Sequence, residues 1–316
     1  MTYSTNDLET AQLSRPSRTI QLVLFALLMI FLLGTSTIEA QEAASLPKVG
    51  PERGSLVIVG GAMRSAEIYE RFIDLAGGPD AHIVLVPTAG GAEEYDEFYQ
   101  GMNAWRDHGA RNLTLLHTTD PAEADTDAFV EPLKSAAGVF FFGGRQWRLV
   151  DAYGGTKAEQ AFQEVLDRGG VIGGSSAGAS IQGSFLGRGD TRTNTIMMGD
   201  HQRGFGYLRD VGIDQHVLMR NRQFDLIEVI ETHPELLGIG IDEDTALVVQ
   251  GDRAQVIGKS FVLVYDNQVT TGENGKFYFL APGDRLNLAT RESMRPSMIQ
   301  SPIQGVQKKR WGSSGS

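Results

Sequence analysis

The stretch Val171-Ile-Gly-Gly-Ser-Ser-Ala-Gly-Ala-Ser180 decides the fold, because it reads as a buried strand, a sharp turn and the start of a helix. Within it, Gly174-Ser-Ser-Ala-Gly178 matches G-x-S-x-G, in which a serine stands on a strained turn between strand and helix. The backbone is crowded at such a turn, so the neighbouring residues must be small. Small-residue turns after strands are also common, and a purely structural turn explains the pattern about equally well.

Apolar runs and helical patterns alternate along the chain before this stretch. The runs predict strands at 55–59, 82–87, 112–117 and 138–142, with helices from about residue 65 and over 93–108, 127–135, 145–152 and 157–167. This alternation predicts right-handed βαβ crossovers and an α/β fold with a doubly wound, mostly parallel sheet. Ligands bind beyond the carboxyl ends of such strands, where Gly60-Gly61, Thr88, Gly143-Gly144 and Ser176 all fall.

The pattern changes after the serine. Residues 183–213 are rich in Gly, Asp, Arg and Met with weak periodicity, which predicts a long loop. A helix over about 223–231 and strands near 238–243 and 246–250 follow, and the remainder alternates without helices, which predicts a C-terminal antiparallel β extension. We therefore predict a single domain over residues 55–290, preceded by a linker at 41–54 and followed by a disordered tail at 291–316.

The first 40 residues have the pattern of a secretory signal. Arg15 and Arg18 precede an uncharged run over 20–34, which is shorter than the roughly 20 residues that span a bilayer. Ile38-Glu-Ala40 is an acceptable cleavage signal. We therefore predict a signal peptide at 1–40, a secreted or periplasmic mature chain, and no stable membrane association after cleavage. An uncleaved membrane anchor is the alternative.

Composition excludes several classes of function. The 316 residues are 41% hydrophobic and 21% charged, as expected of a globular protein, and the net charge of −11 argues against nucleic-acid binding. The chain has no cysteine, which removes disulfides, thiolate metal sites and cysteine nucleophiles. It also has neither G-x-x-x-x-G-K-[S/T] nor H-E-x-x-H, so no nucleotide, metal or other cofactor is predicted.

A serine nucleophile needs a base, and histidine is the usual one. Among the six histidines, His216 is the best candidate because it lies in a dense polar run after the serine. A carboxylate should orient the imidazole, and we favour Glu243 at a predicted strand end. Three other carboxylates are alternatives, namely Asp190, Asp200 and Asp242. Asp242-Glu-Asp244 reads equally well as a solvated turn or a weak cation site.

Four motifs together resemble one family. Gly143-Gly-Arg-Gln146, Gly174-Ser-Ser-Ala-Gly178, Asp214-Gln-His216 with Arg220 and Arg222, and Gly238-Ile-Gly-Ile-Asp-Glu243 are similar, in order, to motifs of the cyanophycinases. These serine peptidases are related to the α-aspartyl dipeptidases. The resemblance runs from about Ser55 to Tyr265, and implies a flavodoxin-like, class I glutamine amidotransferase-like fold.

The resemblance also implies roles for individual residues. Ser176 would be the nucleophile, His216 the base and Glu243 the orienting acid. The backbone N–H groups of Gly144 and Ala177 would form the oxyanion hole. The substrate pocket would be shaped by Gln146, Asp214, Gln215, Arg220 and Arg222.

The substrate implied by the resemblance is cyanophycin, a poly-aspartate backbone with arginine on each β-carboxyl group, which the family degrades to β-Asp-Arg. The family also suggests a homodimer. One departure from the family pattern is Asp225, which stands where a further arginine often follows Arg222 and would repel a substrate carboxylate. A hydrolase of other aspartyl or acidic peptides, an esterase and a non-catalytic peptide-binding relative are the alternatives.

Overall fold

The computed structural model describes residues 48–96, 98–268 and 275–295. In chain order the strands are β1 Ser55–Val59, β2 His82–Val86, β3 Asn112–Leu115, β4 Gly138–Phe141, β5 Val171–Ser175, β6 Gly183–Phe185, β7 Leu208–Gln215, β8 Leu237–Ile241, β9 Thr245–Gln250, β10 Arg253–Gly258, β11 Val262–Tyr265, β12 Tyr278–Leu280, β13 Arg285–Asn287 and β14 Ser293–Met294. The helices are α1 Ala66–Ala76, α2 Gly101–Asp107, α3 Pro121–Ala124, α4 Asp127–Ser135, α5 Trp147–Tyr153, α6 Lys157–Asp167, α7 Ala177–Ser180 and α8 Asp225–Thr232, with a 3-10 turn at Thr88–Gly90.

Parallel strands form the larger part of the main sheet, from β1 to its edge at β3, as the sequence predicts. Five of them lie in the order β1-β5-β4-β2-β3, and every neighbouring pair among them is parallel. All residues of β1 and β4 are buried, as is typical of parallel strands covered on both faces. The prediction of an α/β fold with a mostly parallel sheet is therefore confirmed.

Alternate residues of β1 enter different cores. Leu56 and Ile58 join a cluster with helices α4 to α6, whereas Val57 and Val59 join a cluster with α1 and α2. The side chains of a strand point alternately to the two faces of its sheet, so helices cover both faces. Burial on both sides makes the sheet a rigid support for the loops at its carboxyl edge.

The C-terminal strands do not form one extension. β9, β10, β13 and β14 continue the main sheet antiparallel from β1, giving a nine-stranded sheet within the described residues. β11 and β12 instead belong to a second, five-stranded sheet in the order β12-β11-β8-β7-β6. The predicted antiparallel extension is thus divided between two sheets.

Two local predictions differ from the structure. The loop predicted at 183–213 contains β6 and most of β7, and the helix predicted over 93–108 is helical only at α2. In the second case Tyr95 packs edge-on against the ring of His117, with 4.7 Å between ring centroids, and the segment before α2 is irregular.

The domain is longer at both ends than the predicted bounds of 55–290. The backbone N–H groups of Lys48, Val49 and Gly50 donate hydrogen bonds to the carboxylate of Asp252, so the second half of the predicted linker packs on the domain. At the other end, Ser293 in β14 pairs with β13, within the predicted tail. The rest of the predicted linker and tail, over 41–47 and 296–316, lies outside the described residues.

The predicted signal peptide at 1–40 also lies outside the described residues. Within the part of the chain that the structure does describe, no helix has both the length and the apolarity that crossing a bilayer requires.

Candidate active site

Ser176 stands on a sharp turn between β5 and α7. Its φ of 58° and ψ of −112° are rare for a residue with a side chain, and its N–H donates to the carbonyl of Val59 at 3.0 Å. Gly174 must be a glycine, since a Cβ there would lie 2.2 Å from the carbonyl oxygen of Gly178. The helix α7 is a single turn, Ala177–Ser180, so the predicted helix start is present but short.

His216 follows the last residue of β7 and reaches the serine from the neighbouring sheet. Its Nε2 lies 2.8 Å from Ser176 Oγ, and its N–H donates to the carbonyl of Gly60 at 2.9 Å. Its φ is 56°, again in the left-handed region. The ring packs directly on Gly61, where a Cβ would lie 2.1 Å from His216 Cε1. The glycine pair after β1 therefore makes space for the imidazole.

Glu243 is the carboxylate that contacts the imidazole. Its Oε1 lies 2.7 Å from His216 Nδ1. An ionised carboxylate only accepts hydrogen bonds, so Nδ1 carries the proton and Nε2 is left to accept the hydroxyl proton of Ser176. The three side chains thus form one directed chain of hydrogen bonds, from serine to histidine to glutamate.

The carboxylates beside Glu243 hold the backbone around it. Asp242 Oδ1 accepts hydrogen bonds from the N–H groups of Leu218 and Met219, at 3.1 and 2.9 Å, which orders the turn after His216. Asp244 Oδ1 accepts from the N–H of Ser65 at 2.7 Å, before α1. The triplet is therefore neither a solvated turn nor a shared cation site, because each carboxylate binds a different partner.

The two other carboxylates considered from the sequence lie elsewhere. Asp190 Oδ1 accepts from the N–H groups of Arg192 and Thr193, and Asp200 accepts from the N–H and hydroxyl of Thr191. Both organise the loop over 187–203. Among the alternatives, Glu243 alone has a hydrogen bond to His216 in the part of the chain that the structure describes.

Burial and charge set the protonation of His216. Burial lowers its pKa below the ordinary value of 6.5, the bond to Glu243 opposes this, and the positive charges of Arg220 and Arg222 lower the pKa further. The net direction is downward. A base must be neutral to accept a proton, so the site keeps His216 ready at neutral pH.

The loop after β4 lies against the serine. A Cβ on Gly143 would be 3.2 Å from Ser176 Cβ, and Gly144 has a φ of 148°. A Cβ on Gly144 would lie 1.9 Å from the carbonyl oxygen of Ala89, which accepts a hydrogen bond from Arg145 N–H at 2.8 Å. The 3-10 turn after β2 thereby fixes this loop.

Gly144 and Ala177, predicted as oxyanion-hole donors, follow directly on Gly143, which packs on Ser176, and on Ser176 itself. Gly144 belongs to the loop after β4, and Ala177 is the first residue of α7. Among hydrogen bonds between described residues, none uses the N–H of either one. Both donors are therefore available to a ligand, as an oxyanion hole requires.

The predicted pocket residues divide into two groups. Gln215 and Arg222 lie beside His216, with Arg222 Nη1 donating to Gln215 Oε1 at 3.0 Å, and Arg220 is exposed on the same turn. Gln146 is buried and its Nε2 donates to the carbonyl of Gly187 at 2.7 Å, which ties the loop after β4 to the loop over 187–203.

Asp214 is not a free pocket residue, which corrects the prediction. It is 1% exposed, and both carboxylate oxygens bind the guanidinium of Arg188, at 2.7 Å to Nε and 3.0 Å to Nη2. Arg188 is itself 2% exposed and also contacts Asp225. Sequence reasoning missed Arg188. Its only signal is an arginine between glycines, Gly187-Arg-Gly189, in a stretch read as a loop.

Comparison with known proteins identifies the family. The model of peptidase family S51 matches residues 56–257, which include Ser176, His216 and Glu243. The chain belongs to peptidase family S51. It is therefore a serine-type peptidase, a hydrolase, and the predicted kinship with cyanophycinases is confirmed.

Cyanophycinases are among the curated relatives of this S51 peptidase. The one from Geminocystis herdmanii is 32% identical over 269 residues, covering 77% of this chain and 96% of the relative. The one from Synechococcus elongatus is 31% identical, covering 76% and 81%. Among solved structures, a peptidase from an acI-B1 Actinobacterium matches with a TM-score of 0.56 and 25% identity, covering 74% of this chain and 97% of that one.

Proposed function

We propose that this S51 peptidase hydrolyses cyanophycin to β-Asp-Arg dipeptides through an acyl-enzyme on Ser176. The observation that supports this most is the hydrogen-bond chain from Ser176 Oγ to His216 Nε2, at 2.8 Å, and from His216 Nδ1 to Glu243 Oε1, at 2.7 Å. That order of hydroxyl, imidazole and carboxylate is what a serine nucleophile requires.

In the proposed first step, Ser176 Oγ attacks the scissile carbonyl carbon while its proton passes to His216 Nε2. The carbonyl oxygen becomes an oxyanion, which the N–H groups of Gly144 and Ala177 would stabilise by about 3–4 kcal/mol per donor. His216 then gives the proton to the leaving nitrogen, the carbon–nitrogen bond breaks, and the amine product departs. Glu243 remains ionised and stabilises the imidazolium.

In the second step, water attacks the ester carbonyl of the acyl-enzyme. His216 takes one proton from the water and returns it to Ser176 Oγ as the ester bond breaks. The acid product leaves and the hydroxyl is restored. His216 therefore acts as base and as acid in turn, which requires a pKa low enough to leave it neutral between the steps.

The proposed substrate is supported by the relatives and by the charges around the site. The curated relatives are named cyanophycinases. Arg220 and Arg222 lie close enough to His216 for their charges to lower its pKa, so a carboxylate of a poly-aspartate backbone would meet a positive field there. Arginine is well suited to bind such carboxylates.

The proposal is tested by incubating the purified protein with insoluble cyanophycin and identifying the soluble products by mass spectrometry. We expect β-Asp-Arg. Free arginine would show that the isopeptide bond is cut instead. If cyanophycin gives no product but other β-aspartyl or acidic peptides are hydrolysed, one of those peptides would be the substrate. Hydrolysis of simple esters alone would favour the esterase alternative.

Ser176→Ala supplies the matched control for that assay. We expect turnover to fall by roughly 10³-fold or more, with cyanophycin binding retained, because the oxyanion donors and the pocket are unchanged. Unchanged turnover in Ser176→Ala would remove the proposed mechanism. Equal turnover by both proteins at a very low level would instead indicate a non-catalytic peptide-binding relative.

We also propose that the protein acts outside the cytoplasm, as a homodimer. The location is supported by the signal-like pattern at 1–40. N-terminal sequencing of protein recovered from the host tests it, and a first residue before 20 would contradict cleavage.

The homodimer is supported by the family resemblance and by the exposed aromatic rings of Phe261 and Phe279, whose centroids are 5.8 Å apart. Sedimentation equilibrium giving a monomer would contradict it.

A further inference from the structure

Behind the turn that carries the arginines, one buried guanidinium is shared by two carboxylates. Arg188 is 2% exposed, binds Asp214 with Nε and Nη2, and uses Nη2 again to contact Asp225 Oδ2. Its Nη1 donates to the carbonyl of Asn194 at 2.8 Å. All three nitrogens of this guanidinium therefore donate hydrogen bonds, which fixes its position.

The two carboxylates are in different situations. Asp214 is 1% exposed and uses both oxygens on Arg188, so it is fully paired. Asp225 is 37% exposed and, among the described residues, only its Oδ2 accepts a side-chain hydrogen bond. Arg188 can neutralise only one of the two carboxylates that it binds, and of the two only Asp225 is exposed to solvent.

Asp225 follows closely on the predicted pocket residues Arg220 and Arg222 in the chain. Its N–H donates to the carbonyl of Arg222 at 3.0 Å, and Arg222 Nη1 donates to Gln215 Oε1 at 3.0 Å, next to His216 in the chain. The charge of Asp225 also acts on Arg222, opposing the decrease in its pKa that burial and neighbouring arginines cause. The carboxylate and the arginines thus share one turn.

This carboxylate has the properties of a binding group for a cation. Arg188 holds Oδ2, which limits rotation of the side chain, and Oδ1 has no hydrogen bond to a described residue. A carboxylate that is held in place accepts the N–H groups of a guanidinium with little loss of entropy. Arg220 and Arg222, on the same turn, suit a carboxylate of the same substrate, which gives the pocket adjacent charges of opposite sign.

We propose that Asp225 binds the guanidinium of the substrate's arginine side chain and makes the enzyme selective for arginine-bearing aspartyl units. The assignment rests on the proposed function, because it concerns the same Ser176 site. It gives Asp225 a role toward the positive end of the substrate, beside the expectation that its charge repels a substrate carboxylate, since Arg188 orients the carboxylate.

Two short substrates test the assignment: an oligomer of β-Asp-Arg units, and the same oligomer with citrulline in place of arginine. Citrulline replaces the guanidinium with a neutral ureido group of nearly the same shape. We expect wild-type kcat/KM to favour the arginine substrate by roughly 10- to 100-fold, the range for a hydrogen bond between charged groups. A wild-type enzyme that treats both substrates alike would overturn the assignment without any variant.

Asp225→Asn keeps an oxygen for Arg188 and removes the charge. We expect KM for the arginine substrate to rise about 10-fold or more with little change in kcat, and the preference over citrulline to collapse. Asp225→Glu should restore part of the preference. Glu228→Gln removes an exposed carboxylate three residues further along α8 and should leave the preference as in wild type.

Equal losses on both substrates in Asp225→Asn would assign Asp225 a purely structural role and overturn the inference. If the wild-type enzyme hydrolyses neither substrate, the proposed function fails and this inference fails with it. Hydrolysis of both with no arginine preference leaves the proposed function in place and overturns only the role of Asp225.

Discussion

Three residues of the site have backbone conformations that side chains rarely adopt. Ser176, His216 and Asp244 have φ values of 58°, 56° and 51°. Each such residue costs roughly 1–3 kcal/mol, which the surrounding hydrogen bonds must offset. These backbone conformations place the hydroxyl of Ser176 on the outside of its turn and direct the imidazole of His216 toward that hydroxyl. Ser176 and His216, which would do the chemistry, are thus two of the eight non-glycine residues with positive φ in the described part of the chain.

The pH dependence of hydrolysis should report on His216. Its pKa lies below 6.5, chiefly because the ring is buried, so the neutral base is present above that pKa and is lost as pH falls. We expect kcat/KM to fall to half its plateau at a pH below 6.5. A pH profile of kcat/KM measures this, and a half-point above 6.5 would contradict it.

Charge variants should move that half-point in opposite directions. Arg220→Ala and Arg222→Ala each remove a positive charge that lowers the pKa of His216, so the half-point should rise. Glu243→Gln removes the carboxylate that raises it, so the half-point should fall, and kcat should drop by roughly 10²- to 10⁴-fold because the imidazole loses its orientation. A shift in the same direction for all three variants would show that these charges do not act on His216.

The residues that lie nearest Ser176 could be predicted because each belongs to a short sequence motif with a recognisable chemical role. G-x-S-x-G identified Ser176, and the polar run around His216 and the strand end at Glu243 supplied partners. Arg188 could not be predicted, since it is 26 residues from Asp214 and 37 from Asp225 along the chain. The same limit applies to Asp214, because a buried, paired carboxylate and a substrate-binding carboxylate look alike in a sequence until their partner is known.

At the scale of elements, the site depends on the turn that follows β1. A Cβ on Gly61 would overlap the ring of His216, at 2.1 Å from Cε1, and its φ of 137° also disfavours a side chain. We expect Gly61→Ala to lower kcat by about 10²-fold or more, because a displacement of 1 Å at a reacting group has an effect of that size. Steady-state kinetics with circular dichroism would measure it.

Gly77→Ala is the matched control. Gly77 has a φ of 108° after α1, and a Cβ there would meet no atom within 4 Å. Gly77→Ala therefore tests only the effect of a side chain at positive φ, which lowers the free energy of unfolding by roughly 1 kcal/mol. We expect kcat to be unchanged in this variant. Equal losses of kcat in both alanine variants would show that the imidazole does not depend on the space at Gly61.

The parallel strands of the main sheet were predictable, whereas β6 and β7 of the second sheet were not, for a physical reason. β1, β2 and β4 read as continuous apolar runs because helices cover both faces of the main sheet. β7, Leu-Arg-Asp-Val-Gly-Ile-Asp-Gln over 208–215, is interrupted by polar residues: Arg209 and Asp210 are not buried, and the buried Asp214 is neutralised by Arg188 inside the fold. When a strand carries a buried charge that is paired with a distant residue, its sequence lacks the apolar pattern by which a strand is predicted.

At the scale of the whole molecule, the first described residues are fixed to the turn between β9 and β10. Lys48, Val49 and Gly50 donate N–H groups to Asp252, at 2.9 to 3.0 Å, across more than 200 residues of sequence. We expect Asp252→Ala to lower the free energy of unfolding by about 1–3 kcal/mol, because three amides lose their acceptor. Urea denaturation measures the change, and a change below about 0.5 kcal/mol would contradict this role.

That contribution should depend on pH. Burial alone would raise the pKa of Asp252, but the hydrogen bonds from Gly50, Lys48 and Val49 prevail and lower it below 3.8. A lowered folded-state pKa stabilises the protein above pH 3.8, and the stabilisation is lost as pH falls through the folded-state value. The stability difference between wild type and Asp252→Asn should therefore shrink at acidic pH. A stability difference between the two proteins that stays constant from pH 7 to pH 3 would argue against a stabilising role for the ionised carboxylate of Asp252.

The hydroxyl of Ser176, activated by His216, is the proposed nucleophile. A fluorophosphonate forms an oxygen–phosphorus bond with an activated serine as fluoride leaves, and trypsin would release the serine on the peptide Gly169–Arg188. We predict one adduct, assigned by fragmentation to Ser176 and not to Ser175, that forms in step with the loss of peptidase activity and does not form in His216→Ala. An adduct on Ser175, or full peptidase activity in protein labelled at Ser176, would contradict the assignment of Ser176 as the nucleophile.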